Sequence, residues 1–201
     1  MTRDSCQIII CPGIHKPEFT QEFWQALQRC AMGNLSDKLT QKPLILPHRD
    51  YFSYSAIHIL LDLLDRFNST KTPIIFIAFS AGVVGAIGAA WGWQVLGGEV
   101  KALIALDGWG VPLSGNFPIH RLSHDEFTHW SSALLGKGEE SFYGDPGVDH
   151  LNLWRRADTC QGWRFDWAWG GMKEKCDRGF WYKGYRTTAA QFILELLQRY
   201  L

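Results

Sequence analysis

The sequence contains little of what marks several large classes of protein. Its cysteines form no CxxC motif and no even set; the five residues are Cys6, Cys11, Cys30, Cys160 and Cys176. Neither a disulfide framework nor a zinc-binding motif is therefore predicted. No apolar run approaches the roughly 18 residues of a membrane span, and the first strand-like run follows the start without a signal-peptide-like stretch. We expect a soluble, cytoplasmic protein without stable membrane insertion.

The sequence also lacks an excess of charge of either sign. Twenty Lys and Arg residues balance twenty Asp and Glu residues, and the longest basic cluster is the pair Arg155-Arg156. Nucleic-acid-binding proteins depend on concentrated positive charge, so we expect no nucleic-acid partner. A small, neutral or modestly charged substrate is the better match.

No internal repeat, low-complexity tract or Pro/Ser-rich linker divides the chain. A single hydrophobic core can grow to roughly 250–300 residues, so 201 residues fit one domain. Hydrophobic residues make up 46% of the chain and charged residues 20%, which is typical of a globular protein. Residues 1–201 are therefore predicted to form one domain.

What the chain does contain is an alternation of apolar runs and helix-like segments. Four runs are continuously apolar and predict strands buried on both faces, as in a parallel sheet: Gln7–Cys11, Pro43–Leu46, Pro73–Ala78 and Val100–Leu106. Between them, apolar residues at helical spacing predict helices over Phe19–Cys30 and Ser53–Phe67, and a small-residue helix follows Ser80. This pattern is typical of an α/β fold, with helices on both faces of a mostly parallel sheet in three layers.

The second half of the chain is less regular. A fifth strand is predicted over Phe117–Leu122 and the start of a sixth over Ser141–Tyr143. The clearest helix is predicted over Thr187–Leu201, where Thr188 and Gln191 have the spacing of a capping box.

The segment 154–185 contains tryptophan at unusual density: Trp154, Trp163, Trp167, Trp169 and Trp181. Aromatic residues bury large areas, so the simpler interpretation is that these side chains pack an irregular segment onto the edge of the sheet. The alternative is a lid or side wall for an apolar substrate.

The motif that carries most chemistry is Ala78-Phe79-Ser80-Ala81-Gly82. It joins an apolar run to a small-residue helix, and a serine at such a sharp strand-to-helix turn is exposed above the sheet. Ala78 and Gly82 have the small side chains that the turn requires, although the usual motif has glycine at both places. We interpret the motif as a nucleophile elbow with Ser80 as the nucleophile.

A serine nucleophile needs an imidazole to take its proton and a carboxylate to orient that imidazole. His150 is the preferred base because it lies in a turn-rich loop after the sixth strand, whereas His120 lies within the fifth strand and is interpreted as structural. His124 and His129 are competing candidates for the base.

Two carboxylates are candidates for the acid of the triad. Asp125 follows the fifth predicted strand and is preferred, and Asp107, at the end of the fourth, stays open as the alternative. Both lie where parallel strands end, which is where open α/β sheets build their sites. The residue that does not serve is expected to be a turn former or a helix N-cap.

An acyl-transfer site also needs N–H donors for the oxyanion that develops on the substrate carbonyl. We expect one from the backbone of Ala81, which follows the nucleophile. The other is expected from the loop Cys11-Pro12-Gly13-Ile14-His15, and since proline has no N–H, Gly13 or Ile14 must supply it.

These features together resemble the α/β-hydrolase superfamily over nearly the whole chain. The segments Leu106–Gly110 and His120–Asp125 are similar to those of uncharacterised cyanobacterial α/β-hydrolase-like proteins. The resemblance implies a triad in the chain order Ser, acid, His, and hydrolysis of esters or thioesters without a cofactor. The chain departs from the family pattern at Ala78, in having no lipase-type HGGG loop and in having no cap insertion after the sixth strand.

Three other interpretations remain open. A hydrolase-like fold can bind or interact without catalysis, because fold does not determine function. A nucleotide-binding protein is indicated weakly by glycines at 82, 85 and 88, whose spacing differs from GxGxxG. A metal site built from His120, His124, Asp125 and His129 is the weakest, because residues four apart on a strand lie roughly 13 Å apart. We therefore expect a serine hydrolase that acts on a small or medium acyl ester or thioester.

Overall fold

The structure is a computed structural model of the chain, and it describes residues 6–47, 50–67, 69–166 and 183–201. The strands in these residues are β1 (Gln7–Cys11), β2 (Leu44–Ile45), β3 (Ile74–Phe79), β4 (Val100–Leu106), β5 (Ile119–Ser123), β6 (Glu140–Gly144), β7 (Gln161–Asp166) and β8 (Lys183–Thr188). The helices are α1 (Pro17–Cys30), α2 (Asn34–Lys38), α3 (Asp50–Ser53), α4 (Ala56–Arg66), α5 (Ala81–Val95), α6 (Glu126–Ala133), α7 (His150–Arg155) and α8 (Ala189–Tyr200).

The strands form one sheet in the order β2-β1-β3-β4-β5-β6-β7-β8. The first six strands in this order pair in parallel. β7 then pairs antiparallel with β6, and β8 pairs antiparallel with β7. Parallel strands all end at the same edge of a sheet, so the loops after β1, β3, β4, β5 and β6 converge there.

Both faces of the central strands are buried, as the continuous apolar runs predict. In β3 the side chains alternate between two hydrophobic clusters: Ile75, Ile77 and Phe79 pack with residues of α1 and α8, and Ile74, Phe76 and Ala78 pack with residues of α4 and α5. Helices therefore cover both faces of a mostly parallel sheet, which confirms the predicted α/β class and is compatible with a three-layer arrangement.

Most predicted elements lie within a residue or two of their observed bounds, and β1 and β4 match theirs. The helix predicted over 53–67 is wrong in one respect, because it is interrupted: α3 ends at Ser53 and α4 begins at Ala56. Ser55 adopts an extended backbone between them, and its hydroxyl accepts a hydrogen bond from the N–H of His58. At the end of the chain, the Thr188 side chain accepts from the N–H of Gln191 at 3.1 Å, which confirms the predicted cap.

The tryptophan-rich segment lies partly outside the described residues. Trp154 is fully buried in α7, and Trp163 lies in β7, a strand between β6 and β8 that the sequence did not predict. The lid or side wall was predicted for the segment 154–185, of which residues 167–182 are not described. In the ranges that are described, no helix combines the length and apolar character needed to cross a bilayer.

Candidate active site

Ser80 lies at a sharp turn between β3 and α5. Its backbone has φ 54° and ψ −123°, a conformation that only glycine adopts without strain. The N–H of Ser80 donates to the carbonyl of Leu106 at 2.9 Å, so the pairing of β3 with β4 continues into the turn. The serine is thus held above the sheet edge by the helix on one side and by the adjacent strand on the other.

The turn has no room for larger neighbours. A Cβ built on Gly82 would lie 2.2 Å from the carbonyl oxygen of Cys11, so glycine is required where α5 approaches the end of β1. A Cβ built on Gly13 would lie 2.9 Å from both the Cβ of Ser80 and the carbonyl oxygen of Phe79. The loop predicted to donate to the oxyanion therefore packs directly against the serine.

Asp107 follows β4 and is nearly inaccessible to solvent. Its backbone φ is 51°, and its N–H donates to the carbonyl of Leu122 at 2.8 Å. The carboxylate accepts three hydrogen bonds: Oδ1 from the N–H of His124 at 2.8 Å, and Oδ2 from Nδ1 of His150 at 2.8 Å and from Nδ1 of His124 at 3.0 Å. Two imidazoles therefore meet at one carboxylate oxygen.

His150 is the first residue of α7 and reaches Asp107 from the loop after β6. That loop is tied to the end of β5, because the N–H of Val148 donates to the carbonyl of His124 at 3.0 Å. The His150 ring stacks on the ring of Phe79, with the centroids 4.7 Å apart and the planes inclined by 26°. The ring is thus oriented at one edge by Asp107 and across its face by the residue that precedes Ser80.

Asp125, the preferred acid from the sequence, has a different place. Its carboxylate is the N-cap of α6, where it accepts from the N–H of Thr128 at 2.7 Å. Burial alone would raise the pKa of Asp125, but the hydrogen bonds from Thr128 outweigh it and hold the pKa below the usual value. Its other contact in this region is with Nε2 of His124 at 3.5 Å. The structure therefore brings Asp107, the alternative acid, to His150.

His124 contacts two carboxylates, and sequence reasoning considered it only as a competing base and as a metal ligand. The hydrogen bond to Asp107 raises the pKa of His124, since it favours the charged ring more than burial disfavours it. His124 directly follows β5, at the same edge of the sheet as Asp107. This position is the sequence signal from which its contact with Asp107 could have been predicted.

A cavity of about 360 Å³ connects these groups. It is lined by Ser80, Ala81, Val84, Asp107, Trp109, Val111, His124, Thr128 and His150. Its wall beyond the polar cluster is therefore mainly apolar, and Trp109 is 64% exposed at its rim.

The other predicted oxyanion donors lie beside this cavity. Ala81 is the first residue of α5 and lines it, and Ile14, next to Gly13, is exposed. His15 lies edge-on to Phe79 at 5.6 Å between the ring centroids, and its Nδ1 donates to the carbonyl of Lys16 at 2.9 Å. Burial lowers the pKa of His15, so the neutral ring is favoured there.

The weak metal hypothesis is not supported by the positions of its residues. His120 is buried with its Nε2 2.8 Å from the Tyr200 hydroxyl, and burial lowers its pKa to about 4. His129 lies on the buried side of α6, and burial likewise lowers its pKa to about 4.

In the described part of the chain, the one group with the residue types and proximity of a metal site is Asp107, His124 and His150, whose ligand atoms lie within 4.8 Å of one another. A tetrahedral ion at about 2.0–2.1 Å would separate its ligand atoms by about 3.3 Å. The observed N···O distances of 2.8 and 3.0 Å are those of direct hydrogen bonds. We therefore interpret this group as a hydrogen-bonded network.

Comparison with known proteins adds no assignment to this geometry. Neither the scan against protein-family models nor the search of curated proteins gave a match to the chain.

Proposed function

We propose that this protein is a serine hydrolase that cleaves a carboxylic ester or thioester through an acyl-enzyme intermediate. The observation that carries the proposal is the buried Asp107 carboxylate, which holds the His150 ring in the same cavity as the strained Ser80. These residues occur in the chain order Ser, Asp, His, and the turn at Ser80 follows a central parallel strand. Both features are those of an α/β-hydrolase, so the resemblance drawn from the sequence supports the same proposal.

The roles of the residues follow from their hydrogen bonds. Because Nδ1 of His150 donates to Asp107, Nε2 is the nitrogen that can accept the proton of Ser80. The serine oxygen then bonds to the substrate carbonyl carbon, and the bond to the leaving group breaks as His150 returns the proton to that group. Water, deprotonated by His150, next attacks the acyl-enzyme and releases the acid together with free Ser80.

The developing oxyanion needs fixed donors beside the serine. The N–H of Ala81 is suited by its place at the start of α5, and the N–H of Gly13 or Ile14 by the contact of the Gly13 backbone with Ser80. The mainly apolar wall formed by Val84, Trp109 and Val111 suits a small or medium acyl group.

Two of the glycines that suggested a nucleotide-binding loop instead allow close packing between helices. A Cβ on Gly85 would lie 2.5 Å from the side chain of Ile59, and a Cβ on Gly88 would lie 2.5 Å from the Cβ of Ala56. Both positions allow α5 to pack closely on α4. This favours the hydrolase proposal over the dinucleotide alternative.

Covalent labelling tests the proposal. We expect a fluorophosphonate probe to add one adduct to the native protein, detected by intact mass, because the probe reacts with an activated serine. The Ser80→Ala variant should not be labelled, and His150→Ala should be labelled at least a hundredfold more slowly, because the general base is lost.

Ser36→Ala is the matched control, since Ser36 is an exposed serine on α2 and should leave labelling unchanged. Equal labelling of native protein and Ser80→Ala would refute the role of Ser80. A folded native protein that neither reacts with the probe nor cleaves p-nitrophenyl esters would instead indicate a hydrolase-like fold without catalysis.

A further inference from the structure

The site contains one more histidine than a serine triad needs. Oδ2 of Asp107 accepts from His150 and also from His124, whose rings lie 6.0 Å apart and nearly perpendicular. In a triad, the carboxylate directs its charge at a single imidazole and stabilises the cation that forms on it. Here that charge is shared between two rings.

The backbone of His124 is fixed at both ends. Its N–H donates to Oδ1 of Asp107, and its carbonyl accepts from Val148 in the loop that delivers His150. The same carbonyl packs against Gly144, where a Cβ would lie 2.6 Å from the oxygen. His124 therefore connects the acid to the loop carrying the base, and its ring cannot leave Asp107 without losing a hydrogen bond to a nearly inaccessible carboxylate.

The His124 ring also lies among charged groups that affect whether it is protonated. The groups that act on it are Asp107 at the end of β4, Asp125 at the start of α6, Asp149 before α7, and His150 on α7. The three carboxylates favour a proton on His124, and a cationic His150 disfavours it. The two imidazoles therefore share the charge of one carboxylate oxygen, Oδ2 of Asp107.

We propose that His124 is a positioning residue that holds the Asp107 carboxylate and sets how much of its charge is available to His150. This inference rests on the proposed function. With His124 neutral, Asp107 keeps its full charge to stabilise the His150 cation formed when Ser80 is deprotonated. With His124 protonated, its charge compensates Asp107, and the His150 cation loses that stabilisation. The active form thus requires both rings to be neutral.

The pH dependence of ester hydrolysis tests this requirement. On the acid side, log(kcat/KM) of the native protein should rise with a slope approaching two, because two protons must be lost. His124→Asn places an amide donor where Nδ1 stood but carries no titrating proton. For His124→Asn we expect log(kcat/KM) to rise with a slope of one and to reach a plateau two- to fivefold lower than in the native protein.

His124→Ala removes the donor as well, and kcat should fall about 10–100-fold with KM little changed, because the carboxylate is no longer held.

His58→Asn is the matched control, since His58 is exposed on α4 and the pH profile should not change. Circular dichroism establishes that the variants are folded, and His124→Asn keeps the test valid if His124→Ala does not fold. A native slope of one that is unchanged by His124→Asn would overturn the proposal.

A readout without turnover separates this inference from the hydrolase proposal. In the Ser80→Ala protein, the NMR signal of the His150 ring should titrate in two steps, because it senses His124 as well as its own proton. With His124→Asn added, it should titrate in one step. A single step in both proteins would overturn the role of His124, whether or not the native protein hydrolyses esters.

Discussion

At the scale of single residues, backbone strain coincides with the candidate chemistry. Among the residues that the structure describes, Ser80 and Asp107 are the non-glycine residues with positive φ, at 54° and 51°. Such conformations cost of order 1–3 kcal/mol each and persist where the surrounding structure imposes them. The parallel sheet imposes these two conformations, because the N–H group of each residue still donates to the neighbouring strand. The strain directs both side chains to the shared cavity.

The two acid candidates can be distinguished by a matched pair of substitutions. Asp107→Asn should lower kcat about 10³–10⁴-fold, because the amide cannot hold the His150 ring in the required tautomer. Asp125→Asn should leave kcat within about threefold and stability within a few tenths of a kcal/mol, because asparagine caps helices as well as aspartate does. Steady-state hydrolysis of a p-nitrophenyl ester measures the first effect and urea unfolding the second. Loss of activity in Asp125→Asn alone would reverse the assignment.

At the scale of elements, α5 supports the serine through its small residues. The helix begins directly after Ser80, and its glycines let it pack on α3 and α4: the backbone at Gly85 lies against the carbonyl of Ser53, and Gly88 lies against Ala56. Glycine disfavours a helix by about 1 kcal/mol relative to alanine, so this close packing is retained at a cost in helix propensity. The start of α5, and with it the turn at Ser80, is positioned by these contacts.

A double-mutant cycle tests the contact between α5 and α4. In the native background, Gly88→Ala should lower the free energy of unfolding by about 1 kcal/mol, because overpacking of about 1–3 kcal/mol exceeds the gain in helix propensity. With Ala56→Gly, the next atom near the new Cβ is the Ala56 Cα at 3.9 Å. In that background Gly88→Ala should raise the free energy of unfolding by about 0.5–1 kcal/mol. Urea denaturation measures both, and the same sign in both backgrounds would contradict the packing argument.

At the scale of the whole molecule, an ionic network centred on the buried Glu140 and Arg164 joins strands β6 and β7 to the last helix. Glu140 on β6 pairs with Arg164 on β7 and Arg199 on α8, and Arg164 also pairs with Glu195 on α8. Burial by itself would raise the pKa of Glu140, but the hydrogen bonds from Arg199 and Arg164 outweigh it and lower the pKa below 4.5. The network holds β7 and α8 to the parallel part of the sheet, whose carboxyl edge carries the candidate site.

The lowered pKa has a defined consequence for stability. Because the folded protein binds the Glu140 proton less tightly than the unfolded chain, this stabilisation is present above pH 4.5 and is lost as the pH falls through the folded-state pKa. At pH 7, Glu140→Gln should lower the free energy of unfolding by about 2–4 kcal/mol, because it leaves Arg164 and Arg199 without this charge. The difference from the native protein should shrink at pH 3.5. Urea unfolding at both pH values checks this, with the exposed Glu99→Gln as control; a loss independent of pH would contradict the ionic explanation.

Features that depend on neighbouring residues were predicted from the sequence better than features that depend on residues far apart in the chain. The apolar runs predicted the central strands, and Thr188 with Gln191 predicted the start of α8, because burial pattern and capping are set by neighbouring residues. The antiparallel strand β7 was missed, because Gln161–Asp166 has mixed polarity and pairs with β6 only through tertiary contacts. The helix break at Ser55 had a local signal, a serine with the properties of an N-cap within an apolar helical pattern.

The sequence by itself determined the α/β class and the position of Ser80 at a strand-to-helix turn, since both follow from hydrophobic pattern and small residues at fixed spacing. Only the tertiary structure decided which carboxylate meets His150. Asp107 and Asp125 both follow strands, but the backbone at Asp107 turns its carboxylate toward the loop after β6, whereas Asp125 begins a helix and caps it. The tertiary structure also placed His124 on the same carboxylate oxygen, because side-chain directions at strand ends depend on sheet register and on loops far apart in the chain.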